Sequence, residues 1–140
     1  MAGDAVTKRL TYSQSAGTMF ALDGFLAVGY AGAGEGKNNP AMQHVRNVGP
    51  IPRGLYTITG PECIGTAFPC PDCKGATAHK HGPYVLRLHP HPANQMFNRA
   101  GFLWHGDNGK GTASEGCPCT SGQSRRQAWS EGYREVEVVA

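Results

Sequence analysis

The chain has 140 residues, a formal net charge of +3, 39% hydrophobic and 16% charged residues, 20 glycines and 10 prolines. A chain this long buries one core unaided, so a single domain over 1–140 is expected. The charge is too small and too scattered for a nucleic-acid surface, Arg125 and Arg126 being the only adjacent arginines. So much glycine and proline without a period points to short strands between many turns, hence a mostly β fold.

Met1 to Arg9 carries Asp4 and lacks the apolar stretch of about 7 to 15 residues that a secretory signal needs. No run approaches the ~20 apolar residues of a membrane span. The expectation is a protein made in the cytoplasm without a signal peptide and without a membrane span.

Leu10 to Gln14 reads as a strand. Met19–Leu22 and Phe25–Tyr30 flank Asp23-Gly24, a pair that predicts a hairpin closed by a type I′ turn, so the first third reads as a three-stranded meander. From Ala31 to Gly49 the pattern dissolves into Gly, Asn and Pro around Glu35, Lys37, Asn38, Asn39 and His44. A loop of this length inside a compact domain is commonly functional, which makes it a candidate substrate rim. Gly49-Pro50-Ile51-Pro52-Arg53-Gly54 predicts a stiff turn leading into a strand through Ile58.

Residues 61–81 read as a Cys-rich insert. Cys63, Cys70 and Cys73 with His79 or His81 are ligands of the type zinc takes, and the Cys70-x-x-Cys73 spacing suits one edge of a tetrahedral site. The same cysteines would equally suit a loop closed by a disulfide in an oxidising compartment. Structural zinc and a disulfide are both carried forward, as scaffold and not as a requirement of any chemistry.

Tyr84-Val85-Leu86-Arg87-Leu88 alternates, placing Tyr84, Leu86 and Leu88 on one face of a strand. A further strand is expected at Gly101-Phe102-Leu103-Trp104-His105 and a last one at Val136–Val139. Gly122 to Trp129 has helical composition behind Ser121, a suitable N-cap. The total is about seven strands and one short C-terminal helix.

Five cysteines leave at least one thiol unpaired in the monomer. His105 at the end of an apolar strand is followed by Cys117 in a Gly-flanked turn, which supplies the ingredients of a nucleophile and its base. A thiol with pKa about 8.5 attacks as thiolate, and a neighbouring imidazole favours that form. Gly116 lets backbone approach a substrate carbonyl closely, where N–H groups can hold an oxyanion. Asp107 is close enough in sequence to orient a partner. The same residue types also describe a strand-end histidine in a satisfied hydrogen bond and a buried, inert cysteine.

His105-Gly106-Asp107 with Ser114-x-Gly116-Cys117 resembles the L,D-transpeptidase catalytic signature, in which a histidine precedes a Ser/Thr-x-Gly-Cys turn. More closely, the chain resembles the Tlde1 family, the L,D-transpeptidase-like effectors of type VI secretion systems. The likeness takes in Thr11-Tyr12-Ser13-Gln14, Gly36-Lys37-Asn38-Asn39-Pro40, Gln43-His44-Val45, Asn47-Val48-Gly49-Pro50-Ile51-Pro52-Arg53-Gly54, Gly82-Pro83-Tyr84 and Gly101-Phe102, in that order.

The resemblance implies an L,D-transpeptidase-like β-sandwich or partly closed barrel, and a cysteine enzyme that trims or exchanges the terminal D-amino acid of peptidoglycan tetrapeptide stems. Cys117 would be the nucleophile and His105 the base. Gly116, Ser114, Gly106, Asp107, Lys37, Asn38 and His44 would serve substrate or oxyanion. It further implies delivery by a secretion apparatus into the periplasm of target bacteria, and a cognate immunity protein in the producer. Pro118 and Cys119 follow Cys117 where the family usually has an aliphatic residue. Glu115 stands where housekeeping L,D-transpeptidases often have histidine, which favours the effector branch. The alternative, from another class, is a zinc-stabilised cell-wall binding module without catalysis.

Overall fold

The computed structural model describes residues 8–64, 82–107, 110–111 and 114–140. Seven strands build one sheet: β1 (Lys8–Ser13), β2 (Thr18–Phe20), β3 (Leu26–Val28), β4 (Gly54–Ile64), β5 (Gly82–Pro90), β6 (Leu103–Trp104) and β7 (Tyr133–Val139). Their order across the sheet is β3-β2-β1-β7-β4-β5-β6. The fold is thus mostly β, and of the two forms expected it takes the curled, half-closed barrel.

The expected meander is present, since β1, β2 and β3 pair antiparallel in succession. Its turn differs from the expectation. Phe20 pairs with Leu26, leaving five residues in the connection, and of Asp23 and Gly24 only Gly24 has positive φ, at 105°. A two-residue I′ turn needs positive φ at both central positions. Asp23 instead stays exposed, its carboxylate accepting from the Phe25 amide and from the Tyr133 hydroxyl.

The C-terminal strand occupies the middle of the sheet, parallel to β1 and antiparallel to β4. Alternation then decides what fills the barrel. Leu10, Val136 and Tyr56 form one row across three strands, with Tyr12 and Val138 beside it, and all five are buried. Ile58 pairs with Leu88 to continue the layer, with Leu86 and Trp104 on its far side. Each such side chain contributes about 1.5–3 kcal/mol on burial, well above the roughly 0.2–1 kcal/mol of an exposed ion pair such as Arg9–Glu135.

One helix, α1 (Gly122–Ser130), covers the β5 side. Ser121 caps it as its side chain predicts, accepting from the Ser124 amide at 3.1 Å. Ser124, Arg125 and Ala128 face inward. No helix among the described residues is long and apolar enough to cross a membrane.

The segment expected as an insert over 61–81 begins later than its cysteines suggested. Residues 61–64, Cys63 included, continue β4, whose partner β5 starts at Gly82. Cys70, Cys73, His79 and His81 lie outside the described residues, and with them the zinc or disulfide expectation. Among the described residues no group of three or more His, Cys, Asp or Glu is placed to hold a metal ion.

Candidate active site

Three backbone segments lie side by side at the edge beyond β6. The His105 amide donates to the Pro118 carbonyl at 3.1 Å, and the Thr120 amide returns to the His105 carbonyl at 3.1 Å. On the other side, Cys119 and Tyr30 exchange both backbone bonds, at 2.8 and 3.1 Å. Residues 118–120 are therefore clasped between the end of β6 and the start of the 30–49 loop. The clasp is anchored by Trp104, fully buried, whose indole N–H donates to the Thr120 hydroxyl at 2.7 Å.

His105 is itself buried. Its Nδ1 lies 2.7 Å from the Gly106 carbonyl oxygen. A carbonyl only accepts, so Nδ1 carries the proton in the neutral ring and Nε2 is left with its lone pair. The group that orients the imidazole is thus main chain, which no side-chain pattern can reveal.

Cys117 sits half-buried in the turn ahead of this clasp, and the Leu103 amide points at its sulfur from 3.3 Å. Ser114 builds the turn. Its hydroxyl donates to the Cys117 carbonyl at 2.7 Å and accepts from the amides of Gly32 and Gly116 at 2.9 and 3.0 Å. Those three bonds make Ser114 a strut between the 30–49 loop and the thiol turn. Gly116 has φ +138°, and a β-carbon there would lie 2.4 Å from Nη2 of Arg99 and 3.0 Å from the Gly49 carbonyl. Only glycine fits without displacing one of them.

The two neighbouring cysteines have different surroundings. Both are thiols. Cys119 is buried, and burial first, then the charge of Cys117, push its thiol up to about 12. It therefore stays protonated at neutral pH, and a protonated thiol is a poor nucleophile.

The remaining expected residues separate into a rim and a scaffold. Asp107 accepts from the Tyr30 hydroxyl at 2.5 Å and from the Gly111 amide at 3.1 Å, while the Lys37 ammonium lies 4.4 Å from the centre of the Tyr30 ring. Lys37, Tyr30 and Asp107 thus form one polar edge two residues beyond His105. Asn38, at φ 54°, turns its carboxamide oxygen onto the Ala31 amide at 3.1 Å, so its side chain shapes the loop. His44 is exposed and meets Phe97 edge-on, with ring centres 6.2 Å apart. Gly106 supplies the carbonyl that holds His105, and its α-carbon backs onto the Arg125 guanidinium.

Two arginines pack around the site, and the first of them carried no sequence signal. Arg99 is buried and donates to the carbonyls of Gln43 at 2.6 Å, Pro50 at 2.9 Å, Gly49 at 3.0 Å and Glu115 at 3.3 Å. Arg125 is also buried, donating to the Tyr84 carbonyl at 2.9 Å and to that of Thr120. Burial lowers the pKa of both, that of Arg125 to about 10, yet each stays cationic at neutral pH. With eight arginines in the chain, nothing in composition or spacing singles out Arg99, and the adjacency of Arg125 and Arg126 says nothing of burial.

The arrangement offers an accessible thiol in a rigid turn, a buried imidazole with a defined tautomer one strand away, and a polar rim. The Tlde1 domain family matches this chain over residues 26–139, from β3 through β7, and so takes in every residue of the site just described. No curated protein and no solved structure matches the chain.

Proposed function

The chain belongs to the Tlde1 family, and from that membership together with the geometry at Cys117 we propose that it is a cysteine L,D-carboxypeptidase or D-amino-acid-exchanging L,D-transpeptidase acting on peptidoglycan tetrapeptide stems. The observation that carries the reading is the Nδ1 bond of His105 to the Gly106 carbonyl at 2.7 Å, which leaves Nε2 as the basic nitrogen of a residue whose amide is hydrogen-bonded to Pro118, directly after Cys117.

In the reaction, His105 takes the Cys117 proton and the thiolate attacks the carbonyl of the diaminopimelate residue that precedes the terminal D-alanine. The tetrahedral oxyanion collapses as the C–N bond breaks. The imidazolium returns its proton to the departing amine, so D-alanine leaves neutral at nitrogen and the stem is held as a thioester. Water cleaves that thioester in the carboxypeptidase reaction, regenerating the thiol. The amine of a second D-amino acid cleaves it in exchange.

Such a protein works as an antibacterial effector carried by a type VI secretion apparatus into the periplasm of a target cell, with a cognate immunity protein protecting the producer. The polar rim of Lys37, Tyr30 and Asp107 suits a zwitterionic stem end. Within one domain of 1–140, the Cys-rich connection between β4 and β5 is scaffold.

Incubation of the purified chain with tetrapeptide muropeptides, read by mass spectrometry, tests the reading. Tripeptide products or exchanged D-amino acids are expected from the native chain and not from Cys117→Ala. Release that persists in Cys117→Ala would end it.

A further inference from the structure

Arg99 is an unusual clamp. Its guanidinium is buried, its four hydrogen bonds go to neutral carbonyls, and no carboxylate lies within 4 Å of it among the described residues. The face of Phe102 covers it, with the ring centre 5.1 Å away. Desolvating a guanidinium costs several kcal/mol unless something answers its charge. Carbonyl dipoles answer part of it. A neutral amide side chain could have made two of these bonds at a much smaller desolvation cost, so holding the loop does not by itself account for a cation here.

The position of the charge supplies the rest. Nη2 abuts the α-carbon of Gly116, the residue before Cys117, and donates to the Glu115 carbonyl one residue earlier. The same guanidinium grips Gln43, Gly49 and Pro50, so it ties the loop rim and the thiol turn to one rigid point. We propose that Arg99 is a positioning residue that also supplies the fixed positive charge facing the Cys117 thiolate, a stabiliser of that anion in addition to His105 and the Leu103 amide. The electrostatic coupling runs both ways: Cys117 is the chief group acting to hold Arg99 charged against the effect of burial. An adjacent arginine favours thiolate over thiol. The thiol is then partly primed before any proton passes to the imidazole, and the charge is fixed because the guanidinium cannot swing away from its four carbonyls.

This rests on Cys117 being the nucleophile, and its test reads the thiol directly. The full reduced chain is alkylated with iodoacetamide across a pH series, and peptide mass spectrometry separates Cys117 from Cys119. At about pH 7, Arg99→Met is expected to slow alkylation of Cys117 about tenfold, one pH unit of thiolate population, and to move the rate midpoint upward. Arg99→Lys, which keeps the charge, is expected to regain most of the rate. Removing the imidazole in His105→Ala is expected to leave the midpoint below that of an unstructured cysteine peptide and below that of the His105→Ala, Arg99→Met double variant, which keeps only the Leu103 amide at the sulfur. A folded Arg99→Met that alkylates at the native rate would overturn the proposal. So would a His105→Ala midpoint equal to that of the peptide, a result that stands even if Arg99→Met does not fold. Absence of D-alanine release would count against the muropeptide reaction and leave these alkylation results as they are.

Discussion

The sulfur of Cys119 lies 3.6 Å from Nδ1 and 3.8 Å from Nε2 of His105, and both residues are buried. A thiol so close to an imidazole looks like the reactive partner, yet burial and the neighbouring charge of Cys117 hold it protonated, up to about 12.

Brief labelling with a thiol reagent at about pH 7 is therefore expected to modify Cys117 and spare Cys119 until the chain is unfolded. Peptide mapping reads the ratio, and equal labelling of the two would contradict the burial argument. The same shift acts on stability. The folded thiol holds its proton above the ordinary 9.0, so its contribution is complete below that value and is lost as pH rises towards about 12. Urea midpoints are expected to fall over this alkaline range, and less steeply in Cys119→Ala.

Ser114→Ala removes one acceptor from two amides and one donor from the Cys117 carbonyl in a buried turn. The groups left without a partner cost about 1–3 kcal/mol in unfolding free energy. The turn also loosens, so D-alanine release is expected to drop more through kcat than through KM. Ser114→Thr, which keeps the hydroxyl, is expected to lose far less. Chemical denaturation and steady-state kinetics check both parts.

Gly116→Ala places a methyl 2.4 Å from a guanidinium that four carbonyls hold in place, on a backbone at φ +138°. Strain of this kind costs about 1–3 kcal/mol, and relief requires moving Arg99 or the thiol turn. We expect lower stability together with slower alkylation of Cys117. A variant as stable and as reactive as the native chain would show the turn to be more pliable than its contacts imply.

Arg87 meets Glu62 through two bonds, at 2.9 and 3.0 Å, across the β4–β5 pair. The arginine's hydrogen bond is the main cause holding the Glu62 carboxyl below its ordinary value. A lowered folded-state value means the unfolded chain binds the extra proton first, so this stabilisation is present above the ordinary carboxylate range and disappears as pH falls through the folded value. Both side chains are substantially exposed, which limits the effect to under about 1 kcal/mol. Urea midpoints measured between about pH 3 and pH 6 are expected to vary less in Glu62→Gln than in the native chain.

Much of the architecture was legible along the chain because alternation is a local property. Leu86 and Leu88 announced a buried strand face, strands were expected at Leu10–Gln14 and Val136–Val139 where β1 and β7 overlap them, and Ser121 announced the helix start. The order of Gly, Pro, His and Cys motifs was enough to name the family that residues 26–139 match. The Asp23-Gly24 pair located a hairpin, and its turn type was misread because Asp23 bonds to Tyr133, 110 positions away.

What the sequence left open depends on contacts between distant segments. The Gly106 carbonyl sets the His105 tautomer, and every residue has a carbonyl, so no residue type marks it. The separate environments of Cys117 and Cys119, two positions apart, arise because Tyr30 and His105 close over one and leave the other half-exposed. Arg99 became part of the site only when the 43–50 loop, the Glu115 carbonyl and Phe102 were folded around it. Burial, tautomer and charge environment are sums over neighbours in space. The chain specified those neighbours only through its curled, half-closed sheet.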